Sequence, residues 1–189
     1  MTISAVLLAG GKSSRMGQDK ATMSFRGEPL WKRQLDLLRR LEPKELLVSA
    51  QTDPAWRPAD AELVLDDPPS RGPLSGIAAT LARITTTHLL VLAIDVPLIS
   101  ESYLRNLCRG VGKGQGIVSI IESRAEPLVA IYPRDATDEF LRALRDNDFS
   151  IQPIVRKLLA GGKLRPVDVP PGDVPLFRNL NQPQDRPDF

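Results

Sequence analysis

Residues 2–11 read Thr2-Ile3-Ser4-Ala5-Val6-Leu7-Leu8-Ala9-Gly10-Gly11, and this stretch decides the fold class. It is almost continuously apolar, with no alternation of polar and apolar positions, which is the pattern of a strand buried on both faces. Such a strand needs helices above and below it, and that arrangement belongs to α/β proteins with a mainly parallel sheet. The glycine pair then ends the strand and opens a polar segment, residues 12–20.

The pattern repeats downstream. From Pro29 the spacing predicts a helix, with Trp31, Leu35 and Leu38 on one face, Pro29 in its first turn and Pro43 closing it. Short strands are expected over residues 46–49 and 62–65. The clearest helix follows Pro73, where Leu74, Ile77, Ala78, Leu81 and Ala82 fall at i, i+3, i+4, i+7 and i+8. Residues 88–94 read as a second buried strand ended by Asp95-Val96-Pro97. Ser100 and Glu101 begin a further helix. Residues 116–121 and 128–132 are strand candidates, and Phe140 with Leu144 and Ile154 with Leu158 suggest helices. The segment from Pro166 to Phe189 reads as proline-rich and irregular. No internal repeat or linker divides the chain, so residues 1–189 are expected to form one α/β domain with a mainly parallel sheet.

Composition excludes several classes of function. The 189 residues carry a formal net charge of +2, which leaves no nucleic-acid footprint. One cysteine allows neither an intrachain disulfide nor a thiolate metal cluster. The opening apolar run is too short to span a bilayer and lacks a basic leader, so a cytoplasmic protein without membrane partners is expected. Seventeen prolines are close to twice the usual ~5%, yet none falls in the first 28 residues. A loop that offers backbone N–H groups to an anion cannot use proline.

In parallel sheets, ligands sit beyond the carboxyl ends of the strands. That rule singles out Gly10, Gly11, Ser49, Asp67 and Asp95, each just after a predicted strand. The loop Leu8-Ala9-Gly10-Gly11-Lys12-Ser13-Ser14-Arg15-Met16-Gly17-Gln18-Asp19-Lys20 is not a P-loop, because Val6 stands where that motif needs glycine. Nor do glycines at 10, 11 and 17 fit the dinucleotide fingerprint. Adjacent glycines admit close backbone approach, and Lys12, Arg15 and Lys20 supply cations suited to a triphosphate. By spacing alone the segment reads either as a phosphate cradle or as a surface turn with solvated charges.

This loop closely resembles the signature loop of the nucleotidyltransferase superfamily that includes the MobA-like molybdenum cofactor guanylyltransferases. Three further stretches resemble that family in the right order: Asp67 to Gly76, Val91 to Pro97, and Asn179-Leu180-Asn181-Gln182-Pro183. The resemblance implies a three-layer Rossmann-like fold. It implies that Leu8, Ala9, Gly10 and Gly11 hold GTP through backbone contacts, with Lys20 on its phosphates and Arg15 as a second clamp. Asp67 would help to bind the nucleoside, Asp95 would coordinate Mg²⁺, and Asn179 and Asn181 would hold the pterin. Ser49 stands where relatives often carry asparagine, and Ala93-Ile94 replaces the family's usual Pro-Cys before the aspartate.

The implied reaction joins the phosphate of molybdopterin to the α-phosphate of GTP and releases pyrophosphate, with molybdoenzyme-maturation proteins as further partners. The attacking phosphate is already anionic, so no general base is needed, and a chain with one histidine suffices. Two other readings accompany it. One is a related transferase using CTP or another phosphorylated acceptor; the other is a nucleotide-binding protein without catalysis. His88 and Cys108 read as structural residues.

Overall fold

The computed structural model of the chain describes residues 2–9, 19–66, 70–146 and 149–180. In chain order the elements are β1 (Ile3–Leu8), the two-residue strands β2 (Ser24–Phe25) and β3 (Glu28–Pro29), α1 (Leu30–Arg39), β4 (Leu46–Ala50), β5 (Glu62–Leu65) and α2 (Pro73–Arg83). There follow β6 (His88–Ala93), α3 (Glu101–Gly110), β7 (Gly116–Ile121), β8 (Arg124–Pro133), α4 (Thr137–Arg145), α5 (Ile151–Ala160) and β9 (Leu164–Asp168).

Seven strands form one sheet in the order β5-β4-β1-β6-β8-β7-β9. Strands β5, β4, β1 and β6 run parallel, as do β7 and β9. Strand β8 alone runs against its neighbours β6 and β7. The β1 stretch explains the layering. Ala5 and Leu7 face a core built with Leu30, Leu35 and Leu38 of α1 and Leu104 of α3. Val6 and Leu8 face the opposite core, built with Leu74, Ile77 and Leu81 of α2, Phe140 of α4 and Leu158 of α5. The sheet is thus the middle of three layers, as its doubly buried strands require.

Local chemistry sets the boundaries. The Ser100 hydroxyl accepts from the Tyr103 N–H at 3.2 Å and starts α3. Pro73 occupies the first turn of α2, where its missing donor costs nothing. Arg26 and Gly27 both have positive φ, which closes the β2–β3 hairpin with a tight primed turn that went unread in the sequence.

The expectation of an irregular carboxyl-terminal segment from Pro166 needs correction. Residues 164–168 form β9, with Pro166 in register with Val118 of β7. This strand lies at the sheet edge, the place where a residue lacking an N–H is tolerated. Beyond it Pro171–Phe177 coils as a 3-10 helix, and Phe177 packs edge-on against Tyr103 at 5.2 Å. Val169, Phe177 and Leu180 are buried in the core on the α1 and α3 side.

Candidate functional site

Strand register brings the predicted positions together. Leu8 of β1 lies opposite Ser49 of β4 on one side and Ala93 of β6 on the other. Chain segments leaving these strands therefore emerge side by side at one end of the sheet. The Ala9 N–H donates to Ser49 O at 2.9 Å, the Asp66 N–H to Ala50 O at 3.1 Å, and the Ile94 N–H to Leu8 O at 3.2 Å. Because β8 is antiparallel, with Val129 opposite Leu92, its opening residues lie at this same end.

Lys20 and Asp95 meet here across 75 positions of sequence. The Lys20 Nζ stands 3.3 Å from Asp95 Oδ2, and about a quarter of each side chain is exposed. Side chains that the sequence reading missed hold this pair in place. Asp19 caps the 3-10 turn Lys20–Thr22: its Oδ1 accepts from the Ala21 N–H at 3.0 Å and its Oδ2 from Trp56 Nε1 at 2.9 Å. Trp56 in turn stacks on Trp31 of α1, with ring centroids 5.5 Å apart. Under the Asp95 turn, Gln34 of α1 is fully buried and donates through Nε2 to Val96 O at 2.9 Å and Ala93 O at 3.4 Å. Arg33 adds a 2.8 Å bond from Nε to Pro97 O. The one signal for Gln34 was a polar residue inside the apolar face of a helix.

A separate missed side chain is Asp66, one residue before the expected Asp67. It is only 6% exposed. Its Oδ1 accepts from the Ser49 hydroxyl at 2.7 Å and its Oδ2 from the Ser70 hydroxyl at 2.9 Å. Helix α2 approaches this network so closely that a Cβ on Gly76 would overlap Ser49 Oγ and press on Leu8 and Asp66.

Asp95 also borders a cleft of about 400 Å³, walled by the start of β8, the start of α5 and Asn179. The backbone N–H of Leu180 reaches Asp95 O at 2.9 Å, tying the carboxyl-terminal segment to the turn. Leu8, Ala9, Lys20, Ser49, Asp95 and Asn179 thus gather at one sheet end. Gly10, Gly11, Arg15, Asp67 and Asn181 lie outside the described residues. His88 opens β6 at the opposite end, and half-buried Cys108 borders a separate hollow with Thr2 and Glu42. Burial pushes the Cys108 thiol above its ordinary range, as befits a packing residue.

As a divalent-cation site, the arrangement offers Asp95 as a hard oxygen ligand. No group of three or more His, Cys, Asp or Glu side chains that could hold a metal occurs among the described residues. A lone carboxylate beside a lysine fits a cation that keeps several waters and takes its other oxygens from a ligand. It does not fit a structural metal cage. No helix among the described residues is long and apolar enough to cross a membrane.

Comparison with known proteins places the chain among relatives of one family. The family model of the MobA-like NTP transferase domain matches residues 5–164. The probable molybdenum cofactor guanylyltransferase of Opitutus terrae is 35% identical over 187 residues, covering 97% of this chain and 93% of that protein. The molybdenum cofactor guanylyltransferase of Pseudomonas fluorescens strain Pf0-1 is 34% identical over 188 residues, covering 96% and 90%. Among solved structures, molybdopterin-guanine dinucleotide biosynthesis protein A from Archaeoglobus fulgidus superposes with a TM-score of 0.77 at 22% identity, covering 96% of this chain and 94% of that one.

Proposed function

The chain belongs to the family of MobA-like NTP transferase domains, and on that premise we propose that it is a molybdenum cofactor guanylyltransferase. It transfers GMP from GTP to molybdopterin: an oxygen of the acceptor's phosphate bonds to the α-phosphorus, and the α–β bond breaks to release pyrophosphate. The observation that carries this reading is the meeting of Lys20 and Asp95 at the carboxyl end of parallel strands, 3.3 Å apart.

The barrier in this reaction is electrostatic. Two anions must meet, and further charge gathers on the departing pyrophosphate. Lys20 holds the phosphates and offsets that charge, and Arg15 clamps the distal ones. Backbone N–H groups of residues 8–11 line the nucleotide, with glycine at 10 and 11 allowing close approach. The nucleoside rests beside Ser49, which is itself pinned by Asp66, and Asp67, next in sequence, is assigned to it as well. Asp95 would hold Mg²⁺, which would supply charge neutralisation at the phosphate oxygens. No side chain needs to remove a proton, because the attacking phosphate is ionised at neutral pH. Asn179, which lines the cleft beside Asp95, is assigned to the acceptor, and Asn181 is assigned with it from the sequence.

The test is pyrophosphate release in the presence of Mg²⁺ and molybdopterin with each nucleoside triphosphate in turn. Release with GTP alone is the expected result. Release with CTP alone would overturn the base assignment, and GTP binding without release would overturn catalysis.

A further inference from the structure

The cleft beside Asp95 contains two side chains to which the reaction as described gives no task. Glu126 of β8 lines it half-buried, and its carboxylate takes part in no hydrogen bond or salt bridge among the described residues. A half-buried carboxylate with no donor from the described residues is open to a donor-bearing ligand that enters the cleft. Burial already pushes its carboxyl above the usual range, with Arg124 pulling the other way. Phe149, just before α5, lines the same cleft with more than a third of its surface exposed. Its other neighbour is the Arg71 guanidinium, 4.5 Å from the ring centroid, on the loop that leads into α2. A ring held from one side by a cation offers a flat, fixed surface to a second planar group.

These two residues fit a planar nitrogen heterocycle that shows adjacent N–H donors along one edge. A single carboxylate pairs with two parallel donors as it does with a guanidinium fork, whereas a metal would call for more oxygens than this wall provides. The cleft's volume of about 400 Å³ lies in the range of small-molecule sites. We propose that Glu126 reads the 2-amino and N3–H edge of the acceptor's pterin ring while Phe149 supports the ring's face. This assignment rests on the guanylyltransferase reading and adds to it the residues that select a pterin over other heterocycles. It also gives the β8 reversal a purpose, since that reversal brings Glu126 to the end of the sheet where Asp95 stands.

The probes are 6-hydroxymethylpterin phosphate and its lumazine counterpart, in which a carbonyl replaces the 2-amino group. Binding of each is measured to the wild-type protein, Glu126→Gln and Phe149→Leu, with GTP affinity and the unfolding midpoint as controls. Wild-type protein should prefer the pterin by about tenfold or more, the usual value of a hydrogen bond to a charged group. Glu126→Gln should lose that preference while GTP affinity stays unchanged. Phe149→Leu should weaken both probes alike. A preference that survives in Glu126→Gln, or its absence in the wild type, overturns the assignment. The parent reading is judged separately, by wild-type pyrophosphate release from GTP and molybdopterin: release leaves it standing whichever way the probes fall, and no release removes it together with this subsite.

Discussion

At the scale of single residues, the centre consists of two opposite charges whose neighbours fix their positions. Lys20 is held by a turn that Asp19 caps, and Asp95 by a turn that Gln34 and Arg33 bind from below. Preorganisation of this kind lets charge stabilise a transition state without further movement, and removing one such donor typically costs about 10²–10³ in rate. Lys20→Ala and Asp95→Ala should each lower turnover by at least about that factor with an unchanged unfolding midpoint. Steady-state pyrophosphate release and thermal unfolding on the same samples check this. A folded variant with near-normal turnover would remove the residue from the proposed role. Asp66 carries a different expectation. Losing its carboxylate in Asp66→Ala strands the Ser49 and Ser70 hydroxyls, so the KM for GTP should rise more than kcat falls.

At the scale of elements, helix α2 earns its position through an absent side chain. Its residue Gly76 sits against Ser49, Leu8 and Asp66, and even one methyl group there collides with the Ser49 hydroxyl. Overpacking of this sort costs about 1–3 kcal/mol. Gly76→Ala should therefore lower the unfolding free energy by about that amount, and weaken GTP binding as well if the displaced groups form the proposed nucleotide side. Denaturant unfolding and a GTP titration measure the two effects. Stability loss with unchanged GTP affinity would show that the contact serves packing alone. Strand β8 shows the complementary case, where a change of direction in one strand brings a cleft wall to the end of the sheet where Asp95 stands.

At the scale of the whole molecule, pH is expected to act through the buried imidazole of His88. Burial holds its pKa below the ordinary 6.5, against the opposing pull of the Gln115 backbone and the Asp135 carboxylate. The unfolded chain then binds a proton that the folded one refuses, so stability is complete above about pH 6.5 and declines as pH falls below it. The carboxylates of Asp36 and Glu45, held low by Lys32 and Arg39 and by Ser4 and Thr85, lose their contribution only further down, below their ordinary range. Melting curves between about pH 7.5 and pH 5 should show the first decline, and His88→Gln should flatten it. The same distinction between local and long-range causes explains what was legible in the sequence. Strands β1 and β6 announced themselves because burial on both faces leaves a run without polar interruption, and α2 because its apolar spacing follows a proline. Lys20 and Asp95 stood in motifs beside strand ends. Strand β9 was hidden because most of its residues are exposed at an edge and one is Pro166. Asp19, Gln34 and Asp66 were hidden because each acts through a partner remote in sequence or in a side-chain network, which no local pattern records. The stacked Trp31–Trp56 pair has an optical consequence. These are the chain's only two tryptophans, and one of them is bonded to the aspartate that caps the Lys20 turn. Indole emission therefore arises from Trp56, bonded to the residue before Lys20, and from Trp31, stacked on it. GTP addition should change that emission in proportion to occupancy, and Trp56→Phe should remove most of the change, so the protein carries a built-in fluorophore for its own nucleotide.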